Sequence, residues 1–191
     1  SMSSSPPQPV STSLTEAVTL DLRRLLAGDP APQTLNAALR HLAKWRAHLM
    51  ENTLVAKSGE QVLSGPFKGM SYTLRAAEGS RSARLLGCYE AGLAPVIEEI
   101  IARAYPLVID VGCAEGYYAV GLARRMPAST IHARDSDPQA RSLCTALAQA
   151  NGVADRLHIG PEVAHADLAL CAEAPTFILC DIEGAEDALL D

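Results

Sequence analysis

The chain is poor in aromatic residues, with one tryptophan, two phenylalanines and five tyrosines among 191 residues. It also lacks any apolar run near the ~20 residues that a membrane-spanning helix needs, so no membrane is expected as a partner. No Lys/Arg-rich stretch offsets the net charge of −6, which argues against a nucleic-acid backbone as the partner. The five cysteines, Cys88, Cys113, Cys144, Cys171 and Cys180, are odd in number and contain no C-x-x-C pair. That excludes a disulfide framework and a zinc site as readings, and reduced thiols in a cytoplasmic protein are expected. No other metal site is expected. The N-terminal Ser-Met-Ser-Ser-Ser-Pro-Pro-Gln-Pro has no apolar core, so it does not read as a signal peptide. Ser1 ahead of Met2 reads as a cloning scar, and 1–12 as a disordered tail.

What remains is an ordinary globular composition, 48% hydrophobic and 20% charged, long enough for one real core with added elements. Arginine outnumbers lysine thirteen to three and alanine is abundant, which suggests a GC-rich bacterial coding sequence.

The most informative stretch is Pro106 to Ala123. Leu107, Val108, Ile109 and Val111, broken only by Asp110, have the length and β-branching of a buried strand, and small residues then lead into a helical pattern. Gly112 and Gly116 leave a ligand room to approach the turn, and the helix after Gly116 directs its first N–H groups there. A dinucleotide fingerprint G-x-G-x-x-G fits badly, because the glycine positions hold Gly112, Ala114 and Tyr117. A second strand, Thr130 to Asp135, places Asp135 nineteen residues after Gly116, with Ser136 beside it. A carboxylate at that spacing suits free ribose hydroxyls and disfavours a 2′-phosphate.

Along the chain, Ser13-Leu-Thr-Glu16 is a capping-box pattern for a helix that Gly28 and Pro30 close. A second helix is expected from about Pro32 to Ala56, with Leu35, Ala38, Leu39, Leu42, Trp45 and Leu49 on one face. Together they would form an N-terminal helical cap over 13–58. The segment 59–105 reads as a small hairpin with Met70, Tyr72 and Leu74 alternating, then a polar loop from Gly79 to Arg84, then a lead-in helix behind Pro95. In that helix Val96, Ile97, Ile100 and Ile101 have helical spacing. From 106 to 191 strands and helices alternate: a helix to Arg125, a helix capped by Asp137-Pro138, a third strand from Arg156 to Gly160 and a fourth from Thr176 to Asp181. The fold class expected is α/β, a Rossmann-like parallel sheet with helices on both faces.

Asp110, Gly112, Ala114 and Gly116 together resemble motif I, [DE]-x-G-x-G-x-G, of class I S-adenosylmethionine-dependent methyltransferases, with Ala114 as a departure. Asp181-Ile-Glu-Gly-Ala-Glu186 resembles the D-x-E-G-x-E motif of their FkbM-like branch. Gly65-Pro-Phe-Lys-Gly-Met70 and Leu86-Gly-Cys-Tyr-Glu90 look like the lead-in of some relatives. The resemblance covers about 65–191. It implies S-adenosyl-L-methionine as cofactor, held by Asp110, Gly112, Cys113, Ala114, Gly116, Tyr117, Asp135, Ser136, Asp181 and Glu90. It also implies Asp181, Glu183 and Glu186 as catalytic candidates beside the transferable methyl, and an O-methyltransferase acting on a small-molecule or sugar-like acceptor.

The same fold carries seven strands in the order 3-2-1-4-5-7-6, of which this chain would contain strands one to four. The expectation is therefore a truncated chain, or a fourth strand whose exposed edge is covered by a partner copy as a homodimer. Two rival readings stand beside the methyltransferase. One is a non-catalytic nucleoside-binding or dimerisation module; the other, an NAD-dependent dehydrogenase, is disfavoured by Ala114 and Tyr117.

Overall fold

The computed structural model describes residues 12–73 and 81–180. Its centre is a parallel sheet of four strands, β1 (Leu107–Val111), β2 (Thr130–Arg134), β3 (Leu157–Gly160) and β4 (Thr176–Cys180), in the order β3-β2-β1-β4. Every β1 residue is buried, as its unbroken apolar run requires of a strand covered on both faces. Leu107 pairs with Thr130 on one side and with Thr176 on the other, so β1 is the axis of the sheet. Chain order runs outward from β1 to β3 on one flank and jumps to β4 on the other. The sheet is the expected α/β architecture.

On one face pack α4 (Ala94–Arg103), α5 (Tyr117–Arg125) and α6 (Pro138–Ala150). Ile97, Ile100, Val120, Leu122, Cys144 and Leu147 meet Val108, Ile131 and Ala133 there in the main core. Asp137 caps α6 by accepting the Gln139 N–H at 2.9 Å, and Pro138 supplies the preset first turn. The other face carries Leu107, Ile109 and Val111 against Val163, Leu170 and Cys171, around the short helix α7 (His165–Leu170). Sequence periodicity does not reveal α7, because six residues make too short a pattern; a carboxylate oxygen of Asp167 accepting the Ala164 N–H at 2.9 Å starts it.

Ahead of the sheet stand α1 (Thr12–Leu26) and α2 (Pro32–Ser58), which pack on each other. The expected apolar face of α2 is only partly buried: Leu35 and Leu39 are each 64% exposed, while Ala38 is covered. α1 spans barely half the length of α2, too little to cover that face. The hairpin forms as one antiparallel bridge between Gln61 and Ser71, with the Val62 N–H bound to the Met70 carbonyl at 2.9 Å.

The expected polar loop from Gly79 to Arg84 is corrected within the described residues, where Arg81–Leu86 is a helix, α3. Its arginines mislead a sequence reading because both are buried: Arg81 faces Glu51 and Glu60, and Arg84 faces Glu115. Leu85 between them enters the core. A turn of 3-10 helix, Ala91–Leu93, then leads into α4. On the open side of β4, residues 176–180 have no neighbouring strand among the described residues. No helix among the described residues is long and apolar enough to cross a membrane.

Candidate functional site

The turn between β1 and α5 alternates in backbone sign: Gly112, Ala114 and Gly116 have φ of 78°, 48° and 94°. Left-handed geometry is natural for the two glycines and strained for Ala114. The strain is held by hydrogen bonds to the end of β2. The Arg134 carbonyl accepts the Gly112 and Cys113 N–H groups at 2.8 and 2.9 Å, and an Asp135 carboxylate oxygen accepts the Ala114 N–H at 2.9 Å. The second Asp135 oxygen accepts the Asp137 N–H at 2.9 Å. The Gly112, Cys113 and Ala114 N–H groups are thus taken up by Arg134 and Asp135, where a phosphate cradle would offer such donors to its ligand. Gly116 is fixed by packing, since a Cβ there would lie 2.6 Å from Cys144 Sγ.

Above the turn lies a cleft of about 170 Å³. Asp110, Gly112, Cys113, Ala114 and Glu115 form its floor, Leu179 and Cys180 of β4 close one side, and Arg84, Tyr89, Glu90, Leu93, Tyr117 and Tyr118 the other. It opens at the carboxyl ends of β1 and β4, where the strand order reverses. That is where open α/β sheets bind ligands.

The far wall is aromatic. Five of the seven Phe and Tyr residues, namely Phe67, Tyr72, Tyr89, Tyr117 and Tyr118, contact one another edge-on or tilted, with Tyr117 touching the other four. The Arg84 guanidinium lies 4.3 Å from the Tyr89 ring centre and 3.0 Å from Glu115. The Tyr72 hydroxyl donates to the same Glu115 oxygen at 2.8 Å. Burial and then the Glu115 charge push the Tyr72 titration far up, so it stays a neutral donor. Tyr117 is pushed up to about 12, chiefly by burial. At the mouth, the Tyr118 hydroxyl donates to the Glu90 carboxylate, and burial followed by that bond keeps Tyr118 protonated. The Cys113 thiol is held protonated: its hydrogen bond with the Cys144 thiol, then burial, raises its titration well above the usual thiol range.

Of the residues singled out from sequence, Asp110, Gly112, Cys113, Ala114, Tyr117 and Glu90 meet at the cleft wall. Gly116 lies behind it against Cys144, Asp135 braces the turn from the side, and Ser136 is exposed at the start of the α6 loop. Asp181, Glu183 and Glu186 lie outside the described residues; Asp181 directly follows Cys180 in the chain. Sequence reasoning gave no site role to Arg84, Leu93, Glu115, Leu179 or Cys180, which also line the cleft. Glu115 carried one signal, as the sole charged side chain inside a turn of small residues. Among the described residues no group of three or more His, Cys, Asp or Glu side chains is placed to hold a metal ion.

No family model matches the chain, and no curated protein matches it. Among solved structures it is similar to cofactor-bound Rv0187 from MTB, at 18% identity and a TM-score of 0.42, covering 85% of this chain and 67% of that one. It is similar to the O-methyltransferase from Bacillus cereus in complex with SAH, at 10% identity and 0.39, covering 96% and 60%. A third is the SAH-bound Podospora anserina methyltransferase PaMTH1, at 14% identity and 0.40, covering 87% and 56%. The chain thus spans between 56% and 67% of the length of these three. With identities this low, what those proteins bind is a property of theirs, and the cleft of this chain has to be read from its own residues.

Proposed function

We propose that the chain is the cofactor-binding part of a class I S-adenosylmethionine-dependent methyltransferase, of the FkbM-like branch. The observation that carries this is the cleft itself, which straddles the strand-order reversal above a turn whose Gly112, Cys113, Ala114 and Gly116 N–H groups are already bound. A nucleoside ligand without a pyrophosphate suits such a turn; a dinucleotide does not. The third glycine that a dinucleotide turn needs is Tyr117, locked into the aromatic cluster.

The residues present fit S-adenosyl-L-methionine. Gly112 and Ala114 offer a floor without bulky side chains, and Asp110, 2% exposed, puts a carboxylate beneath it. Each Asp135 oxygen accepts one backbone N–H and keeps further acceptor capacity for ribose hydroxyls. The cofactor supplies a methyl group on a positively charged sulfur, open to in-line displacement. The chain's task is then to orient the acceptor and exclude water, for which the Tyr89, Tyr117 and Tyr118 wall is suited. For a hydroxyl acceptor, a small molecule or sugar-like compound, Asp181, Glu183 or Glu186 would take the proton. They follow the strand whose Leu179 and Cys180 line the cleft.

The test is calorimetric titration with S-adenosylmethionine and S-adenosylhomocysteine, with NAD as control, on the chain and on Asp135→Ala. Both adenosyl ligands are expected to bind, NAD is not, and the variant is expected to lose at least about tenfold in affinity, roughly the value of one charge-assisted hydrogen bond. A folded protein that binds neither adenosyl ligand refutes the reading and leaves the non-catalytic module. Binding of NAD alone would favour the dehydrogenase.

A further inference from the structure

The lining of the cleft holds Glu90, Asp110, Glu115 and Arg84, three carboxylates against one guanidinium, a net of two negative charges. Arg84 sits 3.0 Å from Glu115, so those two charges largely cancel each other locally. Glu90 stands apart from that pair, on the cleft lining beside Tyr89 and Tyr118. We infer that Glu90 is a specificity-determining residue that makes the cleft favour the sulfonium form of an adenosyl ligand over the neutral thioether left after methyl transfer. This rests on the adenosyl reading above.

Three features fit Glu90 to that role. Its backbone is left-handed, with φ of 47°, an uncommon conformation for a residue with a side chain. The segment carrying it is anchored, because Gly87 lies against the Ser64 carbonyl so closely that a Cβ would come within 1.8 Å of its oxygen. The Glu90 carboxylate is also held by the Tyr118 hydroxyl, and Tyr118 is wedged edge-on against Phe67 and Tyr117. A neutral donor fixes the carboxylate without cancelling its charge. The rings of Tyr89, Tyr117 and Tyr118 line the same wall, and aromatic faces also attract cations.

The chemical consequence is directional. S-adenosylmethionine and S-adenosylhomocysteine share ribose, adenine, ammonium and carboxylate, and differ by a methyl group and the positive charge on sulfur. A fixed negative wall therefore strengthens binding of the reactant relative to the product, and the product is released more readily. Such a preference is Coulombic and declines with salt.

The experiment is calorimetric titration of both ligands against the intact chain, Glu90→Gln, Glu90→Lys and Tyr118→Phe, at low and at high salt. Glu90→Gln is expected to weaken the sulfonium about tenfold while leaving the thioether within about twofold, the scale of one near-surface charge contact. Glu90→Lys should widen that loss, and Tyr118→Phe should show a smaller loss in the same direction. High salt should narrow the wild-type ratio and leave the ratio of Glu90→Gln nearly unchanged. Equal losses for both ligands, or none, overturn the inference while the adenosyl reading stands. If the folded wild type binds neither ligand, the adenosyl reading itself fails and the inference falls with it.

Discussion

Arg84 Nη1 lies 3.0 Å from Glu115 Oε1, and through this contact the segment ahead of the sheet grips the turn that floors the cleft. The Tyr72 hydroxyl reaches the same oxygen, so helix α3 and the hairpin converge on one carboxylate. Both charged side chains are about nine-tenths buried, at 11% and 10% exposure. Breaking such a pair from one side removes the opposite charge that compensates the buried one left behind. Glu115→Ala is therefore expected to cost about 3–5 kcal/mol in chemical denaturation. The double variant Arg84→Ala/Glu115→Ala should cost clearly less than the sum of the two single ones. Additive losses would mean that the two side chains act separately.

Gly116 is fixed by a neighbour as much as by its backbone. A methyl group there would stand 2.6 Å from Cys144 Sγ and 3.4 Å from Cys144 Cα, at a φ of 94°. Gly116→Ala should destabilise by about 2–4 kcal/mol, combining overpacking with backbone strain. Adding Cys144→Ala removes the sulfur and should recover part of that loss, leaving the strain. A double variant no more stable than Gly116→Ala alone would show that backbone conformation is the whole constraint.

The sheet was legible in sequence because its strands are short apolar runs bounded by turn residues. β1 matches the run Leu107 to Val111, and β2, β3 and β4 fall within one residue of the stretches Thr130 to Asp135, Arg156 to Gly160 and Thr176 to Asp181 read from sequence. The floor of the cleft was legible for the same reason, as a motif of small residues behind Asp110. Three things were hidden. Buried arginines look like a polar loop, because a sequence does not show that Arg81 and Arg84 have glutamate partners far along the chain. The leucines of α2 look like a core face, because periodicity shows that a stripe exists and not whether anything covers it. The aromatic wall was likewise out of reach, since Phe67, Tyr89 and Tyr117 are brought together only by the tertiary fold.

Away from the cleft, Asp167 links α7 to β2 by accepting from Arg134 Nη2 at 2.6 Å and Nε at 3.2 Å, beside His132 Nδ1 at 3.2 Å. The Arg134 bonds, opposed by burial and aided by the Ala164 N–H, hold its carboxyl down at about 2. The unfolded value is about 3.9, so the folded state favours the ionised form. The stability contributed by Asp167 is then fully present above about pH 4 and is lost as pH falls through about 2. Urea midpoints of wild type and Asp167→Asn are expected to differ most at neutral pH and to converge between pH 4 and 2. A constant gap across that range would contradict the linkage.

Ala114 occupies the middle of the turn at φ 48°, in the left-handed region where its Cβ crowds the backbone. The conformation persists because the Ala114 N–H is bound to Asp135 and the flanking residues to Arg134 and Cys113. Relief of the strain and the greater freedom of glycine in the unfolded chain act in opposite directions, and relief is the larger where φ is positive. Ala114→Gly is expected to stabilise the chain by about 0.5–1 kcal/mol in denaturant titration. The same change made in Asp135→Ala, which lacks the carboxylate that holds the Ala114 N–H, should gain less. Equal gains in both backgrounds would show that Asp135 does not hold the turn in its strained form.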